Sequence, residues 1–473
     1  MTTDQSRRDF LTRLAAGAAA MALPRFARSG EDGAKRPSFI LFLADDLGYG
    51  DLGCFGHPLI RTPNLDKLAA EGIRLTDCYA ASAVCSPSRS GLLTGRTPNR
   101  LGVYDWIPNN SPMHLRKSEI TLASILRSGG YATCHVGKWH CNGVFNSPDQ
   151  PQPGDLGFDH WFSTQNNASP SHLNPKNFVR NGKAVGPMEG YSSTIIANEA
   201  IAWLKSRKEA DQPFCLFVWF HSPHEPIATG DEFVRMYPMA TCREQAEYFG
   251  NITQMDYEIG RVLKHLDEAQ QRERTFAMFT SDNGPETLNR YKGGSRSYGS
   301  PGPLRGMKLH MYEGGIRVPG IIRFPGQAKA GQVCGEPVSS TDILPTFCGL
   351  AGVKAPADRA IDGASFVPVF EGKPIERKTP LYWQYDKAIS KPKVAMRQGN
   401  WKILAGIGGG DRPGGFELYN VREDIGEKND LAGKEGDRVK VMSATLVRLF
   451  DQIKAEGPKW ATPQRAPAGG ERD

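Results

Sequence analysis

Apolar and polar positions fall into two regimes along this chain. In the first, short apolar runs alternate with stretches of helical period. Ser38–Ala44, Tyr131–Gly137, Phe214–Phe220 and Thr275–Thr280 read as strands. The first is a continuous apolar run, as expected of a strand in a parallel sheet covered on both faces. Thr62–Gly72 opens with turn chemistry, stops at glycine, and puts Leu65, Leu68 and Ala69 on one face, which predicts a helix. Thr121–Ser128 and Asp342–Leu350 read the same way. A long helix over Arg243–Glu268 carries Ile252, Met255, Ile259, Val262, Leu263 and Leu266 as a core stripe.

The pattern changes around Gly372–Pro380. Leu381–Gln384, Lys393–Arg397, Trp401–Ala405 and Phe416–Val421 read as short strands, with a turn at Gly399-Asn400 and a flexible hairpin loop over Gly406–Gly415. A closing helix is expected over Lys440–Lys454, and the last dozen residues read as disordered. The expected fold is α/β: a mixed sheet flanked by helices over 36–375, then a small antiparallel sheet subdomain with a helix over 376–460.

Each of the four long strands ends in polar groups: Asp45 and Asp46, Lys138 and His140, His221 and His224, Asp282 and Asn283. In open α/β sheets, ligands bind beyond the carboxyl ends of strands. Four such ends agreeing point to an enzyme. Asp45-Asp46 requires a cation or arginine between the carboxylates, or else a solvated turn.

A further candidate is Cys85-Ser86-Pro87-Ser88-Arg89. Ser86 suits a helix cap and Pro87 a first helical position. Cys85 would then face unpaired N–H groups, either as a low-pKa nucleophile or as a buried structural cysteine.

Arg7-Arg8-Asp9-Phe10-Leu11 before the apolar stretch Leu14–Leu23 reads as a twin-arginine export signal, with its cleavage region ending near residue 27. No run is long enough for stable membrane insertion. The net charge of +7 suits an anionic substrate, and no basic, aromatic-interleaved patch suggests nucleic acid. Nine cysteines without a Cys-x-x-Cys spacing argue against zinc ribbons, and their disulfide pairing is not readable.

These motifs, with Ala44–Asp51, Thr62–Asp66, Gly95-Arg96, Gly137–His140, Ser281–Pro285, Lys308 and Glu313–Gly315, resemble those of type I sulfatases. The similarity is greatest to the arylsulfatase A and N-acetylgalactosamine-6-sulfatase group, and it spans Ser38 to about Leu431. The resemblance implies an alkaline-phosphatase-like fold and the conversion of Cys85 to Cα-formylglycine by a formylglycine-generating enzyme. It implies one divalent cation, Ca²⁺ or alternatively Mg²⁺, on Asp45, Asp46, Asp282, Asn283 and residue 85. One hydroxyl of the hydrated aldehyde attacks sulfur, His224 protonates the leaving alcohol, and His140 deprotonates the second hydroxyl to release sulfate. Lys138 and Lys308 hold the sulfate oxygens, and Arg89 steadies residue 85. Read alone, either lysine could be a solvated surface residue. The polar segment from Asn166-Asn167 through His172 to Arg180, and His310, are the candidates for contacting a sulfated carbohydrate. The implied location is periplasmic or secreted, through the twin-arginine translocase. A formylglycine-dependent phosphodiester or phosphonate monoester hydrolase, and a non-catalytic calcium-stabilised glycan-binding protein, are the alternative readings.

Overall fold

The computed structural model describes residues 36–207, 211–287, 297–408 and 411–460; the export segment and the last dozen residues lie outside them. Its elements, in chain order, are β1 (Ser38–Asp45), α1 (Pro63–Ala70), β2 (Ile73–Tyr79), α2 (Cys85–Thr94), α3 (Leu122–Ser128), β3 (Ala132–Lys138), β4 (His160–Thr164), β5 (Val179–Arg180), β6 (Lys183–Ala184) and α4 (Ser192–Ser206). Then come β7 (Phe214–Pro223), α5 (Arg243–Glu268), β8 (Thr275–Ser281), β9 (Arg317–Arg323), β10 (Gln332–Cys334), β11 (Val338–Ser339) and α6 (Ile343–Ala351). The small sheet and its helix are β12 (Leu381–Gln384), β13 (Val394–Gln398), β14 (Trp401–Ile407), β15 (Pro413–Asn420) and α7 (Gly436–Glu456).

The large sheet runs β10-β2-β9-β8-β1-β7-β3-β4-β5-β6, with β11 also on β2. Its centre is parallel: Phe39 of β1 is in register with Cys215 of β7 and Phe276 of β8, and β3 continues from β7. Side chains alternate across a strand, and β1 uses both faces. Phe39, Leu41 and Leu43 pack with Leu92 and Leu93 of α2, Leu122 and Leu126 of α3, and Phe347 of α6. Ile40, Phe42 and Ala44 pack with Leu65 of α1, Ile196 of α4 and Ile252, Met255 and Ile259 of α5. The continuous apolar run thus reflects a strand covered by helices on both sides.

The four-stranded antiparallel sheet also has two apolar faces. Val394, Met396, Ile403 and Leu418 meet Leu446, Leu449 and Phe450 of α7. Trp383, Ala395, Leu404 and Tyr419 meet Val84, Cys85 and Leu309. A buried charge network ties this sheet to the large one. Glu313 accepts from Tyr79 Oη (2.6 Å) and Lys402 Nζ (2.9 Å), and Asp77 accepts from Arg397 Nη2 (2.7 Å). Burial opposes ionisation of Glu313, but Lys402, Arg317 and Arg397 hold it ionised, at a pKa of about 2.

Three expectations are corrected. Ser86 is not the helix cap: α2 begins at Cys85 after Val84, and Ser86 Oγ instead accepts from the Ile107 amide at 3.0 Å. The Gly406–Gly415 loop is shorter than expected, because strand pairing runs to Ile407 and resumes at Pro413. β7, expected to end at Phe220, extends to Pro223, so His221 lies within the strand.

Candidate active site

Because β8, β1, β7 and β3 are parallel neighbours, their carboxyl ends share one edge of the sheet. Close backbone packing brings these ends together. A Cβ on Gly137, in β3, would lie 1.8 Å from Trp219 O, and one on Gly284 would lie 1.9 Å from Gly314 O. After β1 the chain reverses through Asp46 at φ +62°, a left-handed conformation that aspartate tolerates.

The carboxylates and cations interlock. Lys138 Nζ donates to Asp45 Oδ2 at 2.6 Å, and Lys308 Nζ donates to Asp46 Oδ2 at 2.7 Å. Arg89 gives Nε and Nη2 to Asp282 Oδ2 at 2.9 and 2.7 Å, and Nη1 to Lys138 O at 2.8 Å. Asn283 Nδ2 donates to Asp46 Oδ1 at 2.7 Å. Neither lysine is a solvated surface residue; both are buried. Burial penalises the Asp45 carboxylate, yet Lys138, His224, Arg89 and Lys308 hold it well below its usual range. Asp282 goes the other way, pushed up to about 7 by burial against the pull of Arg89, with Asp45 and Asp46 adding repulsion.

The donor set fits a hard cation. Asp45 Oδ1, 3.5 Å from Arg89 Nη2, and Asn283 Oδ1 are buried and accept no hydrogen bond. Oxygens in that state carry a desolvation cost that a cation would relieve. Asp45, Asp46 and His224 each bring a ligand atom within 4.8 Å of the others. With Asp282 and Asn283 the set is dominated by oxygen, as Ca²⁺ or Mg²⁺ prefers.

Cys85 opens α2 beside this cluster. Burial pushes its thiol up to about 11, Lys138 and Lys308 pull it down, and Asp282 and Asp45 raise it further. Burial therefore argues against the low-pKa thiolate reading. His224 Nε2 lies 3.4 Å from Asp46 Oδ2, while its Nδ1 bonds Glu225 O. His140 bonds Ile107 O through Nε2 at 3.1 Å, and its buried Nδ1 has no partner. Burial, then Lys138 and Arg89, hold the His140 pKa well below the ordinary histidine value.

The sulfatase family profile matches residues 37–353.

The chain belongs to the sulfatase family.

A second profile, the C-terminal region of N-sulphoglucosamine sulphohydrolase, matches residues 307–455. Arylsulfatase A of Homo sapiens is 34% identical over 393 residues, covering 78% of this chain and 75% of that protein. N-acetylgalactosamine-6-sulfatase of Homo sapiens is 33% identical over 383 residues, covering 75% and 69%. The solved structure of Ps i-CgsB in complex with k-i-k-neocarrahexaose superposes with TM-score 0.77 at 27% identity, covering 90% of this chain and 94% of that one. The chain is a sulfuric ester hydrolase, a type I sulfatase of the alkaline-phosphatase-like superfamily.

The other candidates of this sulfatase lie at varied depths. Asn166 is half-buried, and its carbonyl accepts from Thr164 Oγ1 at 2.6 Å. His172 is buried, with its ring 6.0 Å from that of His221. His310 folds back on its own turn, its Nδ1 3.0 Å from Met307 O. His221 is a core residue bonded to Thr164 Oγ1 at 2.8 Å. Asn167, expected only in the polar segment of the sugar pocket, accepts from Lys138 Nζ through Oδ1 at 3.0 Å, and Glu286, which sequence reasoning did not assign, accepts from Lys308 Nζ through Oε2 at 3.1 Å. Glu286 lies four residues after Asp282, so an acidic residue that close to a motif was the available signal.

Proposed function

We propose that this sulfatase hydrolyses the sulfate ester of a sulfated saccharide, with residue 85 acting as Cα-formylglycine. One observation carries the reading. A buried cysteine whose thiol is held protonated lies within the electrostatic reach of Lys138, Lys308, Asp45 and Asp282, and the two lysines donate to Asp45 and Asp46. The saccharide assignment is supported by the names of the N-acetylgalactosamine-6-sulfatase relative and the neocarrahexaose complex.

As formylglycine hydrate, residue 85 would supply the attacking oxygen, and Asp45, Asp46, Asp282, Asn283 and residue 85 would hold a Ca²⁺ (or Mg²⁺) whose charge would activate it. The chain's own groups do the rest. Lys138 and Lys308 present buried ammonium groups to the sulfate oxygens, where they oppose charge that grows in the transition state. The His224 Nδ1–H is held by a carbonyl, so Nε2 is the atom left to deliver a proton to the departing alcohol. The His140 Nε2–H is held by Ile107 O, which leaves Nδ1 as the proton acceptor. Arg89 fixes Asp282 and the Lys138 backbone.

An acceptor must be neutral to work, and the depressed His140 pKa keeps it neutral as pH falls. The acid limb of kcat is therefore expected well below the ordinary histidine value of about 6.5. A pH–rate series on an aryl sulfate measures it, and an acid limb at or above that value counts against His140. Chelator dialysis should abolish turnover, with Ca²⁺ restoring it. At a hundredfold excess over Kd, bound Ca²⁺ should add about 2.7 kcal/mol of stability, read as a raised unfolding midpoint. No shift would count against the cation site.

Mass spectrometry of the residue 85 peptide, with sulfate release from defined sulfated saccharides, tests the main reading. An aryl sulfate and an aryl phosphate diester run alongside; dominant diester turnover would favour the phosphodiester or phosphonate hydrolase reading. The proposed order is modification by the formylglycine-generating enzyme, cytosolic folding, then twin-arginine export. None of the nine cysteines is joined in a disulfide. Among the described residues no helix is long and apolar enough to cross a membrane.

A further inference from the structure

We infer that Trp106 is a stacking platform for the sugar unit adjoining the sulfated one. The inference rests on the saccharide reading above. Trp106 is 42% exposed, although the segment carrying it is anchored to the reacting cluster. Its neighbour Ile107 donates its amide to Ser86 Oγ, beside Cys85, and accepts from His140 Nε2 through its carbonyl. Trp106 is thus one residue, about 3.8 Å of backbone, from a residue that bonds both Ser86 and the reacting His140.

The position is held from the other side as well. Asp105 is buried, and its Oδ1 accepts from the Trp106 amide and from Tyr385 Oη, both at 2.8 Å. Its Oδ2 accepts from Lys387 Nζ. Tyr385 and Ala388 belong to the apolar cluster that contains Cys85 and Leu309. The Ile389 amide donates to Leu309 O at 2.9 Å, next to Lys308, and Ile389 is itself 54% exposed. The loop between β12 and β13 is therefore tied both to the segment carrying Trp106 and to Leu309, and Trp106 and Ile389 each remain exposed.

A single exposed apolar residue is ordinary. A pinned indole beside a catalytic mouth has a ligand to suit it. The ester sulfur must reach the lysines and histidines, so the ring that bears it occupies the mouth. The next pyranose then meets the residue one step outside. The C–H face of a pyranose is apolar, and an indole offers a large flat surface with an electron-rich face. Such a contact favours chain length over sugar identity.

The test uses the full-length Cys85→Ala protein, titrated by calorimetry with a sulfated monosaccharide and a sulfated trisaccharide of one series. Adding Trp106→Ala should weaken trisaccharide binding about tenfold, or 1.4 kcal/mol, and change monosaccharide binding less than about twofold. Trp106→Phe should keep most of the trisaccharide affinity, which separates stacking from misfolding. Equal losses for both ligands, no loss for the trisaccharide, or no binding of either would overturn the inference. Failure of the saccharide sulfatase reading shows separately, as wild-type protein releasing no sulfate from any saccharide.

Discussion

Replacing Cys85 with alanine is expected to lower sulfate release by roughly 10⁴-fold or more, the scale seen when a nucleophile is removed from an intact site. The fold should survive, because the side chain is small and its neighbours Val84, Leu309 and Tyr385 close most of the space. The cost in stability should be about 1 kcal/mol, measured by denaturant unfolding. The contrast is informative because the unmodified thiol, at about 11, is a weak candidate for the chemistry. Activity should therefore track the modified fraction of residue 85, measured by peptide mass, rather than the free thiol content. Substantial residual sulfatase activity in the alanine protein would refute the assignment.

The central strands were legible because β1 and β7 are covered on both faces, which leaves an unbroken apolar signature at strand length. Their polar termini were legible because strand ends place their chemistry in sequence order. β2, β4, β9 and α4 were not read. β9 contains Pro319-Gly320, a breaker pair in sequence, yet it pairs antiparallel with β8 and β2. β4 is five residues long and carries His160, Ser163 and Thr164. The Ser86 reading failed because helix propensity at Ser-Pro favours a cap, whereas tertiary contact with Ile107 claims the hydroxyl. The bonds of Asn167 and Glu286 to the two lysines could not be read from local pattern, because Lys138 and Lys308 arrive from other segments. The same holds for Asp105, which is fixed by residues about 280 positions away in the small sheet.

Arg89→Ala should differ from Cys85→Ala by costing both turnover and stability. The guanidinium is fully buried, gives two N–H groups to Asp282, and lies 3.5 Å from Asp45. Its removal leaves Asp282 beside Asp45 and Asp46 with its main compensating charge gone. Breaking one side of a buried pair costs about 3–5 kcal/mol. The pH dependence has a definite sign. In the cation-free protein Asp282 is already raised to about 7 by burial, and losing Arg89, the largest lowering influence, raises it further. The folded variant then holds a proton that the unfolded chain releases above its ordinary carboxyl value, so stability falls as pH rises through that window. The deficit should be largest above pH ~7 and shrink toward pH ~4. Adding Asp282→Asn to Arg89→Ala removes the uncompensated charge and should recover part of the lost stability without recovering turnover. If the single and double variants unfold at the same denaturant midpoint across this pH range, charge compensation is not what Arg89 supplies.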